Sequence, residues 1–180
     1  MISLKNRKQS GFTIVELLIV IVIIGILAGL VITQILGANQ KARDTERKTD
    51  INAVANQLET YFAKTGGFPI LDDLNDPAWR RGNEINAGDN NKSFADPTQS
   101  ITDPATVALV AAGAVNSYSY VPSPDGCASP TDADGISSGV ANPCLSFTLT
   151  SYLENKNDSQ KDSTSTADQA YYIKRSANQE

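Results

Sequence analysis

The sequence predicts an α+β protein. One long N-terminal helix, apolar in its first half and amphipathic in its second, packs against a small antiparallel sheet of about three strands. Three observations carry that prediction. Leu17 through Ile32 is an unbroken run of 16 residues without a polar side chain. Residues 38–65 contain no proline or glycine and place apolar side chains at helical spacing. The strand-like segments all come late, at 117–121, 145–153 and 170–175.

Composition narrows the function. The 180 residues include 20 acidic and 15 basic side chains, for a formal charge of −5, with no histidine and two cysteines. Without imidazole, Ser-His-Asp and Cys-His catalysis and the histidine-containing zinc sites are excluded. Two cysteines cannot supply a four-thiolate metal site. The acidic balance argues against a nucleic-acid binder, and no G-x-x-x-x-G-K-[ST] phosphate loop is present. The composition therefore points to a structural or interaction protein rather than an enzyme, with no catalytic residues, cofactor or metal expected. Charge is distributed unevenly. Residues 1–11 hold Lys5, Arg7 and Lys8 and no acid, for +3, and the other 169 residues sum to −8. A short basic start before a long apolar run is a targeting or membrane signature.

The first half of the helix is the apolar run. Residues 12–36 are 25 mostly apolar residues, interrupted by Thr13, Glu16, Thr33 and Gln34. A membrane span takes about 20 such residues. The rival is a cleaved secretory signal, whose apolar region is about 7–15 residues and ends in a small-residue cleavage site. The run here is longer, and no such site follows it. The basic residues before it keep the N-terminus cytoplasmic and place the bulk of the chain outside. Glu16 is out of keeping with a plain anchor, because a carboxylate inside a span is costly and marks function by default. It is either an assembly contact or a group solvated at the headgroup boundary.

Gly11-Phe12-Thr13-Ile14-Val15-Glu16 follows the basic leader and opens the apolar run. Together they closely resemble the class III signal of type IV pilins and of the pseudopilins of type II secretion systems. The resemblance implies that a prepilin peptidase cuts after Gly11 and methylates the new N-terminal Phe12. It implies that Glu16 meets the N-terminal amine of a neighbouring subunit, each charge offsetting the burial of the other. Glycine before the cut offers the peptidase an extended backbone without a side chain. Many members of that family carry proline at the position of Thr33. Here Gly25, Gly29 and Gly37 are what remains to loosen the helix. Further likeness lies in Arg47–Ile51 (RKTDI), Leu58–Phe62 (LETYF) and Thr65–Pro69 (TGGFP), so it spans residues 1–70.

The organisation implied is a leader at 1–11, a transmembrane and assembly half of the helix at 12–36, an amphipathic half at 37–65, and a head at 66–180. The head divides into a loop-rich 66–115 and a sheet at 116–175. The implied role is a fibre subunit stored as a single-pass protein of the cytoplasmic (inner) membrane, with its leader in the cytoplasm. It then packs helix-to-helix into an extracellular pilus or a periplasmic pseudopilus. Its partners would be the prepilin peptidase, identical or homologous subunits, and the membrane platform and assembly machinery. Such a fibre serves adhesion, twitching motility, DNA uptake or secretion. A minor subunit that primes or tips the fibre is one alternative, and a membrane-anchored exported binding protein is another.

In the second half of the helix, Lys41–Asp50 is dominated by charge. The pairs Asp44/Lys48, Arg43/Glu46 and Arg47/Asp50 describe an exposed helix. Ile51, Val54, Ala55, Leu58, Tyr61 and Phe62 then share one face. A stripe of that length fits a small sheet better than a coiled coil. Glu59 and Lys64 lie off it and read as solvated. Gly66 and Gly67 stop the helix at Lys64 and Pro69 prevents its restart.

Asn75-Asp76-Pro77 predicts a short helix at 77–81, with Trp79 as its anchor. Asp103-Pro104 repeats that signal for a helix at 104–112 stopped by Gly113, with a strand as the rival. Residues 82–97 between them read as a polar, irregular surface loop. In the second strand Leu145, Phe147, Leu149 and Leu153 fall on one face, and Ser146, Thr148, Thr150 and Tyr152 on the other. Residues 155–169 read as a solvated loop.

Cys127 and Cys144 lie 17 residues apart around a loop of Pro, Ser, Asp, Ala and Gly. In a head outside the cytoplasm one disulfide is expected, stapling the loop between the first and second strands, with two unrelated thiols as the alternative. Asp132-Ala133-Asp134-Gly135 resembles a fragment of a calcium loop. The third spaced carboxylate and the closing glutamate are missing and Pro130 stands where an acid belongs, so an ordinary acidic turn is expected. Asn91-Lys92-Ser93 and Asn157-Asp158-Ser159 are formal glycosylation sequons of a kind that arises by chance.

Overall fold

The computed structural model describes residues 11–85, 89–100, 107–111, 114–130, 142–166 and 168–177, side chains at 33, 36 and 89–91 excepted. The acidic turn at 132–135, Gly113 and the leader before Gly11 lie outside the described residues, as does the side chain of Asn91. The chain divides into two compact units, Met1–Asn39 and Gln40–Glu180.

Helix α1, Ile14–Thr65, runs through 52 residues. No proline interrupts it, and the Ala, Leu, Gln, Lys, Arg and Glu residues of its second half favour helix. It ends where Gly66 adopts φ 78°, a left-handed conformation that costs glycine nothing. The Gly66 N–H closes the last turn on the Phe62 carbonyl at 2.8 Å. In the first unit the described apolar side chains from Phe12 to Ile35 are all exposed.

The second unit has its own core. The stripe of Ile51, Val54, Ala55, Leu58 and Tyr61 is buried against Tyr118, Tyr120, Phe147 and Leu149. Each such side chain removed from water contributes about 1.5–3 kcal/mol. The inner side chains come from an antiparallel sheet of β1 (Tyr118–Ser123), β2 (Ser146–Leu153) and β3 (Ala170–Arg175), in the order β1-β2-β3. Its register pairs Tyr120 with Leu149 and Thr150 with Ile173. Alternation along β2 buries Phe147, Leu149, Ser151 and Leu153. Leu145 precedes the strand, escapes its pleat and stays 51% exposed, contrary to the face assigned to it above. Three tyrosine hydroxyls fasten the sheet to the chain around it. Tyr118 donates to Asp50 at 3.0 Å, Tyr172 to Asn52 at 3.2 Å and Tyr120 to the Pro69 carbonyl at 2.7 Å.

Residues 66–115 hold more structure than a loop. Helix α2 covers Leu71–Asn75 and α3 covers Pro77–Gly82, with the Asp76 side chain capping α3 by accepting from the Ala78 N–H. Trp79 is buried and packs on Tyr61, ring centroids 5.4 Å apart. Residues 82–97 are not a plain surface loop. A 3₁₀ turn covers Asp89–Phe94, and Ile85, Phe94 and Asp96 are buried. Of the helix expected at 104–112, the described residues Val107–Ala111 carry none. Val110 instead bridges β1, its N–H donating to the Tyr118 carbonyl and its carbonyl accepting from Tyr120. The β-branched side chain favours that extended pairing over helix.

The largest departure concerns Lys41–Asp50. This stretch is not an exposed helix: Asp44, Arg47 and Asp50 are buried, with Arg47 fully so. The Arg47 guanidinium makes a bidentate pair with Asp96, Nε to Oδ2 at 2.7 Å and Nη2 to Oδ1 at 3.0 Å. Its Nη1 reaches both Asp44 and Glu154 at 2.8 Å. Asp44 in turn accepts from the backbone N–H groups of Glu154 and Asn155 at 2.9 and 2.8 Å. Burial works against the Arg47 charge, but the bonds to Asp96, Glu154 and Asp44 outweigh it and hold the group charged. Burial likewise pushes Asp96 up, while Arg47 and Thr98 win and hold its carboxyl below the usual range. Arg43, then Arg47, holds the Glu154 carboxyl low. Asp50 goes the other way, because burial outweighs its bond from Tyr118. Glu59 is not simply solvated either, since it accepts from the Ala177 N–H at 2.9 Å. Lys64, though exposed, pairs with Glu84 at 2.7 Å.

Candidate functional site

Gly11, Phe12 and Thr13 precede α1 and are exposed, so the Gly11–Phe12 bond sits in non-helical backbone. Thr13 is the cap of the helix. The Thr13 backbone N–H and hydroxyl both donate to Glu16 Oε2 at 3.0 Å, and the Glu16 N–H donates back to the Thr13 hydroxyl at 3.2 Å. This is a capping box, in which a hydroxyl residue and a glutamate three positions on satisfy each other's free donors. The carboxylate also lies where the positive end of the helix dipole favours it. Its signal, Thr-x-x-Glu ahead of an apolar run, stands in the sequence, but the reading above treated Glu16 alone. All of the cap lies on the Phe12 side of the Gly11–Phe12 bond, so hydrolysis there leaves it intact.

Behind the cap, α1 is long and apolar enough to cross a membrane, judged by length and composition. Cys127 and Cys144 are joined by a disulfide in the second unit, between β1 and β2. Cys144 is fully buried, and its carbonyl accepts from the Phe68 N–H at 2.7 Å just after α1 ends. Gly67 leaves little room there for a side chain, since a Cβ would sit 3.1 Å from the Pro143 Cβ and 3.3 Å from the Cys144 carbonyl oxygen and would press both aside by a few tenths of an ångström. The structure thus gathers Gly11, Phe12 and Glu16 at one end of α1 and sets the cysteines in the separate second unit.

Residues 6–32 match the prokaryotic N-terminal methylation motif. The N-terminal segment is also similar to curated type II secretion proteins. The pilin-like chain is 43% identical over 68 residues to "Type II secretion system core protein G" of Vibrio cholerae, covering 38% of this chain and 47% of that protein. It is 41% identical over 66 residues to the protein of the same name from Pseudomonas aeruginosa, covering 37% and 46%. With that of Escherichia coli the identity is 42% over 62 residues, covering 34% and 43%. The pilin-like chain thus spans about half the length of the curated relatives it matches. No solved structure matches it with significance.

Proposed function

We propose that this chain is a subunit of the pilus-like fibre of a type II secretion system. The observation that carries the reading is the methylation motif at 6–32, which opens into an exposed apolar helix through the Thr13–Glu16 cap. A prepilin peptidase removes residues 1–11 after Gly11 and methylates Phe12. Residues 12–36 hold the subunit in the inner membrane and later form the helical contacts of the fibre. Residues 37–65 join them to the head at 66–180. The head lies on the far side of the membrane, in the compartment where the Cys127–Cys144 bond is stable, and the assembled fibre stands in the periplasm. Its partners are identical or homologous subunits and the membrane platform of the secretion machinery. Secretion is favoured over adhesion, motility and DNA uptake because the curated relatives are named for it.

The new amine at Phe12 offers Glu16 a cationic partner from a neighbouring subunit. That contact replaces the neutral donors of Thr13 with a charge and fixes axial register. The test is intact-mass and N-terminal peptide analysis of sheared fibres. The mature chain starts at N-methylated Phe12, and a chain starting elsewhere overturns the reading. Glu16→Leu leaves insertion and cleavage in place and removes fibres; normal fibre numbers in that strain exclude Glu16 as the assembly contact.

A further inference from the structure

The two halves of the disulfide stand in different surroundings. Cys144 is fully buried and shares the core with Phe68 and Phe147. Its backbone is held on both sides, its N–H donating to the Ala128 carbonyl at 3.3 Å and its carbonyl accepting from the Phe68 N–H at 2.7 Å. Cys127 is half-buried and packs against that core from outside it. It directly follows Pro124, Asp125 and Gly126, an exposed turn closed by the Cys127 N–H on the Pro124 carbonyl at 3.1 Å. The fibre role makes no use of this asymmetry.

Thiol–disulfide exchange does respond to it. An incoming thiolate attacks one sulfur in line with the bond, approaching from the side away from the other sulfur, and its rate depends on which sulfur it can reach. For Cys144 every approach crosses packed protein. Reaching it means opening core strands, which costs up to the full stability of the fold. For Cys127 the approach starts at the exposed turn. The leaving group argues the other way, since Cys127 is the better-solvated thiolate of the two and leaves more readily. Access decides, because no exchange proceeds without contact between sulfurs.

We propose that Cys127 is the site at which low-molecular-weight thiols modify the folded head. The thiolate attacks the Cys127 Sγ, the bond between Cys127 and Cys144 breaks, and a mixed disulfide forms on Cys127. The electron pair of the broken bond leaves with the Cys144 Sγ, which takes the proton that the incoming thiol gave up to water. The incoming sulfur is oxidised and the Cys144 sulfur is reduced, so no further reactant is needed. Cys144 stays beside the adduct, held by its bridge to Phe68, and its return attack expels the added thiol and restores the bond.

The test uses the full chain in detergent micelles, treated with reduced glutathione, sampled before reduction is complete, quenched with acid and mapped by peptide mass spectrometry. Glutathione is expected on Cys127 in about tenfold or greater excess over Cys144. In urea, where both cysteines are exposed, the excess is expected to fall to about twofold or less. Single variants give a second measurement. Oxidised glutathione is expected to leave a stable adduct on Cys127 in Cys144→Ala, and to react about tenfold or more slowly with Cys144 in Cys127→Ala. Equal labelling of the two cysteines in native buffer overturns the proposal. Labelling of Cys127 whose rate follows the urea dependence of unfolding also overturns it, because exchange then passes through the unfolded head. A wild-type adduct that survives removal of free glutathione by gel filtration overturns the resolving role of Cys144.

Discussion

Replacing Arg47 by methionine keeps most of its volume and removes its charge, which leaves Asp44 and Asp96 buried without their cation. Breaking a buried pair from one side costs about 3–5 kcal/mol. Arg47→Met is therefore expected to lower the urea midpoint of the second unit steeply. Arg47→Lys is expected to recover only part of it, because an ammonium cannot reproduce the two parallel bonds to Asp96. The same pairs set a pH dependence. Asp96 and Glu154 have carboxyls held low in the folded state, so their contribution is complete above the unfolded carboxylate range and is lost as pH falls below about 4. Asp50, raised by burial, acts with the opposite sign, its contribution lost as pH rises through its folded value. Melting curves between about pH 3 and pH 7 should show a wild-type fall on acidification that is shallower in Arg47→Met. The sequence hid this cluster for a physical reason. Spacings of three and four residues along α1 look alike whether the helix faces water or protein, and the partners that decide the matter, Asp96 and Glu154, lie 49 and 107 residues from Arg47. The Thr13–Glu16 box, by contrast, closes within a single turn and was readable from the sequence.

At the scale of elements, α3 ends in an unusual way. The Ile85 N–H reaches back to the Arg80 carbonyl at 2.9 Å, and Glu84 occupies the left-handed position of that closure with φ 59°. Glycine is the residue that pays no steric penalty there. The exposed pair that Glu84 makes with Lys64 is a weak counterweight. Glu84→Gly is therefore expected to raise the melting temperature of the second unit, measured by circular dichroism; an unchanged or lower value would show that the ion pair dominates. The disulfide acts on the segment between β1 and β2. Closing a loop of this size contributes about 3 kcal/mol in the chain-entropy model. Reduction should lower the melting temperature while leaving the far-ultraviolet spectrum of the folded protein in place. Elements were legible where a local pattern fixed them. The alternation of β2 and the Asp76-Pro77 cap of α3 are of that kind. The Asp103-Pro104 signal was not decisive, because Val110 lies within reach of the free edge of β1 and edge pairing outweighs a nine-residue helical propensity.

For the molecule as a whole, the division after Asn39 has a direct consequence. The core from Ile51 to Leu149 and the Arg47 cluster both lie beyond that point. A chain starting at Gln40 is therefore expected to be monomeric and to unfold in one cooperative transition, by sedimentation and urea titration. Aggregation on removal of residues 1–39 would mean that the head depends on the apolar half.

The Arg47 cluster also dictates an order of events. Asp44 and Arg47 come early in the chain, Asp96 in its middle and Glu154 near its end. A chain that emerges from its N-terminal side exposes a cation whose last anion arrives only when almost all of the polypeptide is out. Until then Asp44 lacks the Glu154 and Asn155 N–H donors, and the seat of α1 against the sheet is incomplete. The head thus closes late, and truncated products of interrupted synthesis are left open to proteolysis.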